Sequence, residues 1–277
     1  MKKKRKVGLA LGGGAARGVA HIGVLEILEK SNIPIDMIAG TSAGAVIGSV
    51  YAQGKNTDEL KKVVKEWNWL HRAQTIDLAL PRSGFIAGHR IKKLLKSIIG
   101  DVSFEDLKIP FACVATDITT GEEVVINQGS VLEAVRASIS MPIIFSVVKY
   151  GGRYLVDGGL VNPVPVSVLK NMGADFIIAV NVTPHLDRIP EAIYLKESDA
   201  GSAPETKEPN LFSIIMKTFS ITNSQIVEAS LSGADVVIEP RMADISMADF
   251  NHADRCIMEG GMSAIDAVLE IKKRLAA

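Results

Sequence analysis

The sequence predicts a single α/β domain, a mainly parallel central sheet flanked by helices, with one irregular cap segment. Three observations predict it. Short apolar runs of strand length alternate with segments of helical period, the pattern of strand–helix–strand units. The first two runs, Val7 to Leu11 and Ile35 to Ala39, each end on a glycine-rich turn that opens a helix. The chain has 277 residues, 47% of them hydrophobic, enough for a full core, and shows neither an internal repeat nor an inter-domain linker.

In the first unit, Val7 to Leu11 is a buried strand, Gly12-Gly13-Gly14-Ala15-Ala16-Arg17-Gly18 is a loop, and a helix follows to about Lys30 with Ile22, Leu25 and Leu28 on its apolar side. Strand, glycine loop and helix turn successive N–H groups towards one point, a cradle for a phosphate or an oxyanion. A dinucleotide fingerprint fits poorly. Arg17 occupies its third glycine position, and the only acid at the right distance, Asp36, precedes its strand. The Walker lysine is also missing.

In the second unit, Gly40-Thr41-Ser42-Ala43-Gly44 joins the strand at Ile35 to Ala39 to a helix running from Ala43 to Gln53. A serine between glycines at a strand-to-helix turn is a nucleophile elbow. The helix directs free N–H groups and its positive end at Ser42, where a tetrahedral oxyanion would form. In a parallel sheet, adjacent strand ends share one crevice, so the two glycine loops can form one site.

Thr57 to Leu70 reads as a helix capped by Thr57. Residues 66–90 are irregular and apolar, with Trp67, Trp69, Leu78, Leu80 and Phe85. They read either as a core excursion or as a cap over a groove or a membrane-touching surface. Gly88 to Ile99 is a helix, and Ser103 to Leu107 a capped turn. Pro110 to Thr116 and Glu123 to Asn127 are strands that can pair as a hairpin. A helix starts at Ser130, "SISMPIIF" crosses over, and a strand at Arg153 to Val156 ends on Asp157-Gly158-Gly159. Asp157 is either an Asx turn or a functional carboxylate at a strand end. The apolar "GLVNPVPV" after it argues against a plain hairpin. Residues 174–180 form a buried strand, 185–210 a polar, proline-containing mobile surface loop, 211–231 a long helix and 234–240 the last strand. The closing helix, 250–275, is weakened in its middle by Gly260-Gly261.

Lys+Arg and Asp+Glu both total 31, so bulk charge does not indicate a nucleic-acid partner. Cys113 and Cys256 read as buried thiols in a reducing compartment, and no spacing indicates a metal site. The opening MKKKRKV resembles a nuclear localisation run or the start of a signal peptide. It reads best as a solvated lead-in to the first strand. No apolar run reaches the roughly 18 residues of a membrane span, so the expectation is a cytoplasmic protein.

"GGGAARG", "GTSAG" and "DGG", with "HIGVLEIL" and "SISMPIIF" around them, resemble the patatin-like phospholipase family in its bacterial single-domain form. The resemblance covers most of residues 7–180 and is weakest over 66–90 and 185–230. It implies a Ser–Asp dyad without histidine. Ser42 is then the nucleophile and Asp157 the base, and Gly12, Gly13 and Gly14 supply oxyanion N–H donors while Arg17 holds that loop. Gly40, Gly44, Gly158 and Gly159 are the motif glycines. It further implies a lipid or other ester substrate with peripheral membrane contact, and neither metal nor organic cofactor. Three alternatives stay open. A Ser–Asp–His triad would use His185 or His252. A non-catalytic lipid- or nucleotide-binding module would use the glycine loop as an anion site. A partner-regulated protein of slight basal activity would use Trp67, Trp69 and Phe85 as contacts.

Overall fold

Apolar runs without alternation belong to strands buried on both faces, as in a covered parallel sheet. In the computed structural model, which describes residues 5–64, 88–142, 144–184, 211–247 and 249–277, β1 (Val7–Leu11), β2 (Met37–Thr41), β3 (Phe111–Asp117) and β7 (Phe176–Val180) are buried at every position. Strands β4 (Glu123–Ile126), β5 (Val148–Tyr150), β6 (Arg153–Asp157) and β8 (Val236–Ile238) complete one sheet, ordered β5-β6-β3-β2-β1-β7-β8 with β4 also on β3. From β3 to β8 neighbouring strands are parallel, whereas β4, β6 and β5 join antiparallel. The mainly parallel sheet and the β3–β4 hairpin are as expected. Strand β5 was not anticipated, because three partly exposed edge residues carry no apolar run. Strand β2 begins two residues later than the expected 35–39. Asp36 caps β1 instead, its carboxylate accepting the Val7 N–H at 2.8 Å.

The helices are α1 (Ala20–Lys30), α2 (Ala43–Ala52), α3 (57–64 of the described residues), α4 (Gly88–Ile99), α5 (Val131–Ser138), α6 (Val166–Asn171), α7 (Leu211–Ser230) and α8 (Ala253–Ala276). The cap of α3 is Asn56 rather than the expected Thr57. Asn56 Oδ1 accepts the Glu59 N–H at 3.0 Å, and the Glu59 carboxylate accepts the Asn56 N–H at 2.8 Å. The larger core places Leu9, Leu11, Ile38 and Phe176 against α1, α2, α4, α5 and α8. The other face is lined by small residues, Ala10, Ala39, Ala112 and Ala179, which let α6 sit close to the sheet. Most of the expected cap, including Trp67, Trp69 and Phe85, and the whole 185–210 loop lie outside the described residues. Among the described residues, no helix is long and apolar enough to cross a membrane.

The closing helix corrects one expectation. It runs unbroken from Ala253 to Ala276, and its glycines are where α1 crosses it. A Cβ on Gly23 would fall on the Ile257 carbonyl oxygen, and one on Gly260 on the Ala20 carbonyl oxygen. The helices meet backbone to backbone, and this contact offsets a glycine cost of about 1 kcal/mol. Gly23→Ala and Gly260→Ala are each expected to lower the unfolding free energy in urea by about 2–3 kcal/mol. Gly261→Ala, whose Cβ would meet nothing closer than 3.7 Å, is the control and stays within about 0.5 kcal/mol or gains stability.

Candidate active site

Ser42 takes φ 53° and ψ −117°, a sparsely populated conformation for a residue with a Cβ, which costs on the order of 1–3 kcal/mol and persists only where its surroundings hold it. The glycines around it allow that fit. A Cβ on Gly44 would fall on the Leu11 carbonyl, and one on Gly18 would fall on the Ala43 methyl. The Ser42 carbonyl accepts the Ala45 N–H at 2.9 Å and the Val46 N–H at 3.1 Å. Its own N–H donates to Ser138 Oγ at 2.9 Å.

The sheet register brings Asp157 to it. Thr41, the residue before Ser42, pairs with Val114 on one side of β3, and Ala115, the next residue of β3, pairs with Asp157 on the other. Strands lie about 4.8 Å apart, so residues on the two strands that flank β3 are about 10 Å apart at their Cα atoms, a gap that two facing side chains can close. Ser42 Oγ donates to Asp157 Oδ2 at 2.7 Å. Asp157 Oδ1 accepts the Gly159 N–H at 2.8 Å, so the Asx turn and the carboxylate that meets Ser42 are one residue, with one oxygen for each. The Asp157 N–H donates to the Ser140 carbonyl at 2.9 Å, and its carbonyl accepts Thr116 Oγ1 at 2.8 Å. Asp157 is 1% exposed. Burial pushes its carboxyl up from 3.8 to about 6, against the opposing pull of the Gly159 N–H and the Ser42 hydroxyl.

The glycine loop lies against the serine, a Cβ on Gly13 falling 3.4 Å from Ser42 Cβ. Its peptide groups are held individually. The Gly12 N–H donates to the Val180 carbonyl at 3.0 Å and the Gly13 N–H to the Pro163 carbonyl at 2.9 Å. The Gly13 carbonyl accepts Thr183 Oγ1 at 3.2 Å, and the Gly14 carbonyl accepts the Arg17 N–H at 3.1 Å. In a trans peptide N–H and C=O point in opposite directions, so holding these two carbonyls leaves the Gly14 and Ala15 N–H groups pointing away from their anchors. Neither has a partner among the described residues. Of the expected donors, the Gly12 and Gly13 N–H groups are thus bonded within the fold, and the Gly14 N–H, with that of Ala15, is not. Arg17 is buried, its Nε donating to the Ile245 carbonyl at 2.6 Å.

Other parts of this frame escaped the sequence reading. His21 is wholly buried, its Nε2 lies 2.7 Å from the Gly12 carbonyl, and burial lowers its pKa to about 4. The ring is therefore neutral and donates from Nε2, which braces the glycine loop from behind. Its only sequence signal is a polar residue on a helix face that proves buried. The "GLVNPVPV" stretch that follows Asp157 is tied to the serine turn, with the Asn162 carbonyl accepting Thr41 Oγ1 at 2.8 Å. Phe219 and Asn223 of α7 stand over Gly159. His252 is exposed, with its Nε2 3.2 Å from Asp249 Oδ2, and His185 lies outside the described residues. No group of three or more His, Cys, Asp or Glu side chains among the described residues is placed to hold a metal.

The family model of patatin-like phospholipases matches residues 9–170, which contain Ser42, Asp157 and both glycine loops. The chain belongs to the patatin-like phospholipase family. It is 36% identical over 206 residues to an uncharacterised NTE family protein of Mycobacterium tuberculosis, a match covering 74% of this chain and 53% of that protein. It is 37% identical over 191 residues to lysophospholipase NTE1 of Debaryomyces hansenii, covering 66% of this chain and 12% of that protein. The chain thus spans about half the length of the mycobacterial relative and a small part of the yeast one. Among solved structures, VipD from Legionella pneumophila has the same fold at a TM-score of 0.62 and 14% identity, over 97% of this chain and 67% of that one. The likeness of fold therefore extends past the segment that the family model matches.

Proposed function

We propose that this patatin-like chain is a serine acyl hydrolase that cleaves lipid carboxylic esters through an acyl-enzyme on the Ser42–Asp157 dyad. The observation that carries this is the direct 2.7 Å hydrogen bond from Ser42 Oγ to Asp157 Oδ2. Ser42 Oγ attacks the ester carbonyl carbon while its proton passes to Asp157 Oδ2. The carbonyl oxygen becomes an oxyanion, held by the N–H groups of Gly14 and Ala15. As the intermediate collapses, Asp157 returns the proton to the departing alcohol. Water then attacks the acyl-enzyme with Asp157 again as base, releasing the acid and free Ser42. A carboxyl near pKa 6 suits this role, since it is ionised at neutral pH and still basic enough to hold the proton in transit. The name of the yeast relative, a lysophospholipase, supports a lipid ester as substrate. Two buried free thiols, Cys113 and Cys256, support a reducing, cytoplasmic setting, and a lipid substrate supports peripheral contact with membranes.

Labelling with a fluorophosphonate, located by peptide mass spectrometry, tests this reading. The label is expected on Ser42, unaffected by a chelator, absent in Asp157→Asn, and retained in His185→Ala and His252→Ala. Folded wild-type protein that takes no label would overturn it, and loss of the label in His185→Ala would restore the triad.

A further inference from the structure

The strained serine is held on its C-terminal side by its own helix, through two N–H groups on the Ser42 carbonyl. On its N-terminal side, the bond given to the Thr41–Ser42 peptide N–H is the one to Ser138 Oγ at 2.9 Å, a group 96 residues away. Ser138 is the last residue of α5 and is wholly buried. Two residues on, the Ser140 carbonyl accepts the Asp157 N–H at 2.9 Å. One three-residue stretch therefore grips the backbone of both dyad members. That stretch is itself anchored by Arg136, a buried cation that directs its donors to Ser140 Oγ and, at 3.2 and 3.1 Å, to the carbonyl and hydroxyl of Ser146. Its guanidinium also lies over the Phe145 ring, 5.8 Å from the centroid.

We propose that Ser138 is a positioning residue for the nucleophile, its hydroxyl oxygen holding the Ser42 peptide in the strained conformation that aims Oγ at Asp157. Without that acceptor, a part-buried N–H is left without a partner, and the peptide gains by rotating towards a relaxed φ. Rotation swings Oγ off the carboxylate. A displacement of about 1 Å at a reacting atom can cost about 100-fold in rate. The inference rests on the dyad reading above for its kinetic consequence, though the backbone bond itself can be measured apart from activity.

The test separates the hydroxyl from its bulk. Ser138→Thr and Ser138→Val place side chains of the same shape at the same position and differ only in the acceptor. In fluorophosphonate labelling resolved into a binding constant and a maximal rate constant, Ser138→Val is expected to lower the rate constant about 10- to 100-fold relative to Ser138→Thr. The binding constant should stay the same, and Ser138→Ala should resemble Ser138→Val. A general loss of structure would lower the labelling competence of all three variants together. Equal rate constants for Ser138→Val and Ser138→Thr would overturn the proposal. A second measurement uses wild-type protein alone: the Ser42 amide, followed by NMR hydrogen exchange, is expected to be protected. Exchange there at the rate of an open peptide would overturn the proposal even if the variants do not fold. If wild-type protein takes no label while its Ser42 amide is protected, the hydrolase reading fails and the backbone restraint stands.

Discussion

Ser42→Ala and Ser42→Gly are both expected to abolish hydrolysis of a p-nitrophenyl ester, by at least about 10⁴-fold, yet to differ in stability. Both variants lack the hydroxyl oxygen that the proposed reaction uses and leave Asp157 Oδ2 without its hydroxyl partner. Any difference between them isolates the backbone. At φ 53° and ψ −117° an alanine still carries the Cβ that makes the conformation costly, and a glycine does not. Ser42→Gly should therefore unfold at higher urea than Ser42→Ala, by about 1 kcal/mol or more. Gains of this kind from inactivating an enzyme are expected where a strained residue does the chemistry. If glycine proves no more stable than alanine, the elbow is not under strain, and the case for an external restraint on it weakens too.

Asp157→Asn carries the second large effect, on rate and on the pH dependence of folding. Ester hydrolysis by the wild type is expected to rise with pH as the carboxyl ionises through about 6, then to level off. The asparagine variant should be slower by about 10²- to 10⁴-fold, without that limb. The sign for stability follows from proton binding. Between about pH 4 and 6 the folded protein, with its carboxyl raised above 3.8, holds a proton that the unfolded chain has released. Unfolding free energy therefore falls as pH rises through this window, and the loss persists above it. Asparagine has no such slope, so the stability of Asp157→Asn relative to wild type should improve from pH 4 to pH 7, by up to about 3 kcal/mol. A histidine base could produce a rate limb in the same pH range. It would not remove the stability slope with the same substitution, so the paired measurement assigns the limb to Asp157. A rate limb that survives in Asp157→Asn would place the titrating base elsewhere.

Much of the site could be read from sequence because glycine encodes local sterics. Gly40, Gly44 and Gly158 stand where a Cβ would meet backbone atoms, so a serine or aspartate beside them already marks a tight turn at a strand end. The buried strands were equally legible, since a five-residue run without alternation has few places to go in a soluble fold. The short edge strand β5 and the cap at Asn56 were missed because a half-exposed tripeptide carries no periodicity, and because neighbouring asparagine and threonine both suit a helix start.

What only the tertiary structure decided is which groups are already committed. Within "GGGAARG", the sequence offers every N–H as an oxyanion donor. The Val180 and Pro163 carbonyls remove Gly12 and Gly13 from that set, and Thr183 and Arg17 hold the peptide carbonyls beside Gly14 and Ala15. Gly260 resembles a helix defect until α1 is seen crossing it. Ser42 meets Asp157 because β3 lies between their strands, pairing Thr41 with Val114 on one side and Asp157 with Ala115 on the other, and Ser138 reaches the Ser42 N–H from the end of a separate helix. Local conformation is set by atoms a few bonds apart, and the sequence determined it. Partner choice among hydrogen-bonding groups depends on strand order and register between distant segments, and that was settled only when the chain packed.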